Sequence, residues 1–260
     1  MDKVAIKCFG VGDGAPCSDR NHSAYLYDLA GQTLLVDCGE PLCQSYKASG
    51  RDFNDIDRIL ISHYHFDHLG GLFMFLQGSW LEGRRKPLPV HLPAIGIPAI
   101  GQLLHAACLF PEVLPFTLEF IPLEAGHAIQ SDSVSITPFP TTHLDHFRKR
   151  YETQYPGNFQ AFGFLIDWAE GRLCHSADLG SPDDLKSVLQ QPLDILICEL
   201  SHFKPDDLFT LLSSADIGTV VLTHVGRAYW ENLAPIKNRA KELLPGKEVL
   251  FAKDQQVIRL

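Results

Sequence analysis

The chain is 260 residues long and carries 22 Lys and Arg against 31 Asp and Glu, a formal net charge of −9 at pH 7. Hydrophobic residues make up 45% and charged residues 20%, which excludes a disordered or collagen-like chain and leaves enough apolar surface for a full core. The acidic balance disfavours a surface built throughout to hold nucleic acid.

Read in chain order, the first segment, MDKVAIKCFGVGDG, lacks a basic stretch followed by a long apolar one, so no secretory leader is expected. Short β-branched and apolar runs predict strands at Val4–Phe9, Ser23–Tyr27, Thr33–Val36 and Ile56–Ile61. The stretch from Gly78 to Pro115 is rich in Pro and Gly and yields no assigned element, and its Arg84, Arg85 and Lys86 cluster reads as a solvated loop or a phosphate-facing patch. Within it, HLPAIGIPAIGQLLHAACLF is interrupted by Pro93 and Pro98, short of the roughly 20 apolar residues a membrane helix needs. Further strands are predicted at Val134–Phe139, Phe162–Ile166, Arg172–Cys174, Ile195–Glu199, Val220–Leu222 and Val249–Ala252, and Val257–Leu260 ends the chain as another. Helical patterns alternate with them. Ser181-Pro182-Asp183-Asp184 opens one with an N-cap, a first-turn Pro and an acid at the third position, and Asp206–Ser214 and Trp230–Leu244 are two more. The seven cysteines (Cys8, Cys17, Cys38, Cys43, Cys108, Cys174 and Cys198) form no C-x-x-C pair, so buried free thiols in a reducing cytoplasm are expected. With no repeat or linker, one α/β domain spanning 1–260 is expected.

The chemistry concentrates in LISHYHFDHLGG, Leu60 to Gly71. His63, His65, Asp67 and His68 fall within six residues at a strand end. Residues two apart, such as His63 and His65, project toward one point, and Asp67 and His68 aim at a second where the chain turns. Gly70 and Gly71 then let the backbone bend into the next helix. Imidazole and carboxylate are ligands for zinc, manganese and iron, and so many polar groups packed at a strand end without partners would be costly. Three more ligand-type residues stand where later strands give way to loops: His143, Asp178 and His224. His22, His91, His105, His127 and His175 read as structural or surface residues, Arg148–Arg150 as a contact to a substrate phosphate or carboxylate or as a solvated turn, Tyr229 and Trp230 as pocket wall or packing, and His146, near His143, has no assigned role.

These residues carry a resemblance. HYHFDH is similar to the H-x-H-x-D-H signature of the metallo-β-lactamase superfamily, and His143, Asp178 and His224 match its later motifs in order. GVGDGAPCSDRNHSAYLYDLAGQTLLVDCGEPLCQ resembles the opening of the ribonuclease Z-like branch. The resemblance implies an αββα sandwich of two mixed β-sheets flanked by helices. It also implies that His63, His65 and His143 hold one divalent metal ion, that Asp67, His68 and His224 hold a second, and that Asp178 bridges both. Zinc is the expected ion, with manganese or iron acceptable to the same ligands. Asp37 is implied to support the site from behind the ligands.

Two cations roughly 3.5–4 Å apart acidify a shared water and clamp both oxygens of a phosphoryl displacement, so hydrolysis through a bridging hydroxide is expected, with Asp67 orienting the nucleophile. Within the superfamily, ribonuclease Z carries a basic tRNA-gripping arm and a His-Glu-Ala-Thr motif. Here no such arm is evident and the motif reads Cys198-Glu199-Leu200-Ser201-His202, leaving His202 as a displaced general acid. The favoured substrate is therefore a small anionic or cyclic phosphodiester, like that of the cyclic phosphodiesterase of phosphonate breakdown. The alternatives are a tRNA 3′ endonuclease and a lactone or thioester hydrolase. All seven implied ligands are present, which argues against an inactive interaction scaffold. A homodimer is implied by family analogy, and no membrane partner is expected.

Overall fold

A computed structural model describes residues 4–131, 133–157 and 159–259. The chain divides into two compact units, Met1–Glu124 with Lys253–Leu260, and Ala125–Ala252.

In the first unit, strands β1 (Ala5–Gly10), β2 (Ala24–Leu29), β3 (Gln32–Val36), β4 (Arg58–Leu60), β5 (Leu88–Leu92) and β6 (Leu118–Pro122) form a seven-stranded sheet with the final strand, Val257–Arg259, beside β1. Leu260 lies outside the described residues. The β2–β3 hairpin closes through Ala30 and Gly31, both at positive φ, as a two-residue hairpin turn requires. From β3 to β6 the strands are parallel, and parallel neighbours need crossovers. These are α1 (Leu42–Ala48), α2 (Phe66–Leu69), α3 (Leu72–Leu81) and α4 (Ile97–Ala106). Their apolar faces bury a core centred on Phe9, Tyr46, Phe53 and Phe75, whose rings lie 5.0–5.5 Å apart.

The Gly78–Pro115 stretch, to which the sequence assigned no element, is structured. It contains β5 and α4, with Pro98 in the helix's first turn, where its missing N–H costs nothing. Arg84 is neither solvated nor phosphate-facing. It is fully buried and donates to the carbonyls of Phe53, Ile56 and Pro87. Burial lowers its guanidinium to about 10. Lys86 pairs instead with Asp57.

In the second unit, β7 (Ile129–Gln130), β8 (Val134–Pro140), β9 (Phe162–Trp168), β10 (Gly171–His175), β11 (Leu193–Leu200), β12 (Ile217–Val225) and β13 (Glu248–Phe251) form the other seven-stranded sheet, in the order β13-β12-β11-β10-β9-β8-β7. β10 to β13 are parallel and β7 to β10 antiparallel. The central strands β11 and β12 are apolar almost throughout and buried nearly end to end, as parallel strands covered on both faces are. Helices α5 (Asp145–Tyr151), α6 (Pro205–Ser213), α7 (Arg227–Trp230) and α8 (Leu233–Leu243) complete the unit. The predicted Trp230–Leu244 helix is broken because Asn232 leaves helical space at φ −141°, ψ 69°. The helix predicted from Ser181 is two 3₁₀ turns, Pro182–Leu185 and Val188–Gln190, although Ser181 does cap the Asp183 N–H.

All seven cysteines are free, but Cys108 is exposed and Cys17 and Cys43 are only half-buried. Burial pushes the Cys8 thiol up to about 12, which keeps it unreactive. Among the described residues no helix is long and apolar enough to cross a membrane.

Candidate metal centre

The first unit supplies the short-spaced ligand set. After β4 the chain is extended, so His63 and His65 share one side while Tyr64 packs under Gly96 and donates its hydroxyl to the Pro93 carbonyl. His65 opens α2, accepting the backbone N–H groups of His68 and Leu69 at 3.0 and 3.1 Å. That single turn brings Asp67 and His68 round: the His63 ring lies 4.7 Å from His65 and 4.2 Å from His68, and His68 Nε2 is 3.4 Å from Asp67 Oδ2.

Asp37 sits just beyond β3 at φ 60°, fully buried. Its carboxylate accepts the Ser62 N–H at 2.8 Å, the Ser62 hydroxyl at 2.9 Å and His68 Nδ1 at 2.7 Å. Holding Nδ1–H leaves His68 with its Nε2 lone pair as the donor to a metal. Gly39 permits this closeness, since a Cβ there would stand 2.2 Å from the Asp67 carbonyl oxygen. Gly70 and Gly71 differ from their expected role: both have ordinary right-handed helical angles, and Gly71 is needed because a Cβ would meet the Gly39 carbonyl oxygen at 2.8 Å. An open cleft of about 530 Å³ borders this set, lined by Gly14, His22, Glu40, His65, Phe66, Asp67 and Gly70.

The second unit supplies the dispersed set. His143 follows β8, and Asp178 follows β10 after Ala177, which adopts φ 49°. Their two loops are tied together. Thr141 donates its hydroxyl to the Asp178 carbonyl at 2.7 Å, and Asp184 accepts the Thr142 N–H, the Thr142 hydroxyl and the Gly180 N–H, each at 2.9 Å. The acid that looked like part of a helix cap is thus a clamp between ligand loops. His224 occupies a β-bulge: Glu199 pairs with Thr223 and Leu200 with Val225, which leaves His224 as the extra residue at φ 44°. His143 Nε2 lies 3.6 Å from Asp178 Oδ2, and His224 Nε2 lies 3.5 Å from Asp178 Oδ1. Asp178 therefore presents a different oxygen to each imidazole.

His202 stands beside them, its ring centroid 4.6 Å from His143 and 5.8 Å from His224. Its Nδ1 is held at 2.8 Å by Glu199 Oε1, and Nε2 lies 3.9 Å from Asp178 Oδ2. Glu199, a residue the sequence left without a role, is fully buried and also accepts the N–H groups of Leu179, Ser201 and His202. Ligand-capable atoms of Glu199, His202 and His224 fall within 4.8 Å of one another. The neighbouring residues are less involved. His146 reaches back to the His143 carbonyl, Tyr229 and Trp230 pack on the unit's own core, and Arg148 pairs with Asp145 on the exposed face of α5.

The donor sets fit divalent ions. A tetrahedral zinc with bonds of about 2.0–2.1 Å places neighbouring donors roughly 3.3 Å apart. The 3.4, 3.6 and 3.5 Å gaps between imidazole nitrogens and carboxylate oxygens come close to that spacing and are long for a hydrogen bond.

The comparisons agree with this picture. The fold is similar to that of the metallo-β-lactamase fold protein YhfI from Bacillus subtilis, with a TM-score of 0.80, 19% identity and all of both chains covered. It is also similar to a diphosphatase of the PhnP family, with a TM-score of 0.71 and 17% identity over 99% of this chain and 98% of that one. In sequence, a ribonuclease Z from Bradyrhizobium sp. (strain ORS 278) is 24% identical over 288 residues, covering 92% of this chain and 95% of the relative. Two mixed sheets flanked by helices, together with His/Asp ligand sets, define a metallo-β-lactamase-fold hydrolase. Within that class, residues 4–215 match the family described as Anti-Pycsar protein Apyc1, and the chain belongs to that family.

Proposed function

We propose that both units work as one hydrolase domain that cleaves a small or cyclic phosphodiester. His63, His65 and His143 hold one divalent ion, Asp67, His68 and His224 hold the other, and Asp178 is shared. The observation that carries the reading is the two-sided presentation of Asp178 to His143 and His224, with His202 alongside. When bound, the ions supply Lewis acidity toward the phosphoryl oxygens and an acidified water. Asp67 accepts a hydrogen bond from the attacking water and orients it toward phosphorus. His202 donates its Nε2 proton to the departing oxygen as the P–O bond breaks, and Glu199, fixed on Nδ1, keeps the ring aligned.

A small substrate is preferred over tRNA because the net charge is −9 and because Arg148 is engaged by Asp145. The relatives named for ribonuclease and diphosphatase activity support phosphorus–oxygen chemistry as the common class.

The test is a hydrolysis panel on metal-loaded protein, comparing cyclic nucleotides, ribose cyclic phosphates, 3′-extended tRNA, lactones and thioesters. Turnover of small phosphodiesters, abolished by Asp67→Ala, is expected. Cleavage of lactones with no phosphodiester turnover would overturn the substrate class, and preferential cleavage of tRNA would overturn the preference for small substrates.

A further inference from the structure

Between the ligands His65 and Asp67 stands Phe66, with 80% of its surface exposed. An aromatic ring so open to water forgoes the stabilisation its burial would give. Its backbone is fixed, because it begins α2 directly after His65 and its carbonyl accepts the Gly70 N–H at 2.7 Å. The ring therefore borders the roughly 530 Å³ cleft from a rigid turn, next to two side chains of the ligand set. The same cleft carries His22, whose Nδ1 is held by the Asp13 carbonyl at 3.0 Å, and the carboxylate of Glu40. A carboxylate there repels a second phosphate and accepts hydrogen bonds from ring N–H or amino groups. The cleft thus suits the uncharged, planar part of a substrate whose phosphodiester lies at the ligands.

We propose that Phe66 is a specificity-determining residue: its exposed face stacks on a planar ring, such as a nucleobase, carried by the phosphodiester. This rests on the phosphodiesterase reading above and assigns the residue that selects among such substrates. Stacking of this kind tolerates any base, because every base has a π-face.

The experiment compares metal-loaded wild type, Phe66→Ala and Phe66→Trp on a nucleoside 2′,3′-cyclic phosphate and on a ribose cyclic phosphate that lacks the base. Phe66→Ala is expected to raise KM for the base-bearing substrate about tenfold to a hundredfold, with a loss at least fivefold smaller for the base-free one, while Phe66→Trp restores the difference. Equal losses on both substrates, or none on either, overturn the assignment. Absence of turnover on both by wild type contradicts the phosphodiesterase reading instead. Stacking is then judged without turnover, by calorimetric binding of a nucleoside monophosphate and of ribose 5-phosphate. No preference for the nucleotide, or a preference that Phe66→Ala retains, overturns the role of Phe66, whereas a preference lost in Phe66→Ala supports it.

Discussion

Asp37 and Glu199 have the same job in different units, each a fully buried carboxylate that fixes Nδ1 of an imidazole and accepts backbone N–H groups with its remaining capacity. In Glu199→Gln, one acceptor oxygen becomes an NH₂ that cannot serve the Leu179, Ser201 and His202 donors in the same way. We expect kcat to fall on the order of a hundredfold with KM and metal content little changed, as steady-state kinetics and elemental analysis would show. His91 makes a separate prediction. It is buried, neither ring nitrogen has a hydrogen-bond partner, and burial lowers its pKa from 6.5 to about 4. Between those values the unfolded chain binds a proton that the folded chain refuses, so stability is full above about pH 6.5 and falls as pH drops toward 4. Urea titrations should show wild type losing on the order of 3 kcal/mol more than His91→Leu across that window. The His63–His68 run was legible in sequence because its members are close along the chain and their chemistry is local, whereas Asp37 entered only through the family resemblance. Glu199 and Phe66 were hidden, the first because its donors include Leu179, twenty residues back, and the second because an apolar letter does not reveal exposure. Arg84 was read with the wrong sign of burial, since the carbonyls that neutralise it come from Phe53 and Ile56 in another loop.

At the scale of elements, the candidate ligands stand near strand ends, and the chain is irregular just past β3, just past β10 and near the end of β12. Asp37, Ala177 and His224 all take left-handed angles, which cost a non-glycine residue of order 1–3 kcal/mol and persist where the surroundings enforce them. Most strands were readable, since β-branched runs bounded by turn residues mark them well, but β5, β6 and β7 were not predicted. The bulge at His224 was not, because it exists only in the pairing of β12 with β11. Pro98 and the neighbouring glycines hid α4, and the Ser181 cap pointed to a helix that is only two 3₁₀ turns. The Asp184 clamp is the element-scale device most open to test. Asp184→Ala removes the shared acceptor of Thr142 and Gly180, leaving the Thr141 hydroxyl on the Asp178 carbonyl to tie the His143 and Asp178 loops. Metal affinity is expected to drop about 10–100-fold by competition with a chromogenic chelator. An unchanged affinity would mean that the clamp shapes the surface and not the site.

Over the whole molecule, each unit carries its own sheet, its own core and its own set of ligands. Neither set by itself supplies the ligands of two ions and their bridge, so the proposed function requires both units. On the proposed function, the net charge of −9 describes the outer surface, and two cations at the ligand sets would make the reaction site locally positive and suited to a small anion. The same requirement ties metal binding to folding, since ligand release should lower the thermal midpoint in proportion to chelator strength. The claim on which the rest depends is the two-ion centre, and the elemental metal content of the full chain, purified without chelator, tests it most directly. About two divalent transition-metal ions per chain are expected, falling sharply in Asp178→Ala. Fewer than about one ion per wild-type chain would contradict the binuclear centre and the mechanism built on it.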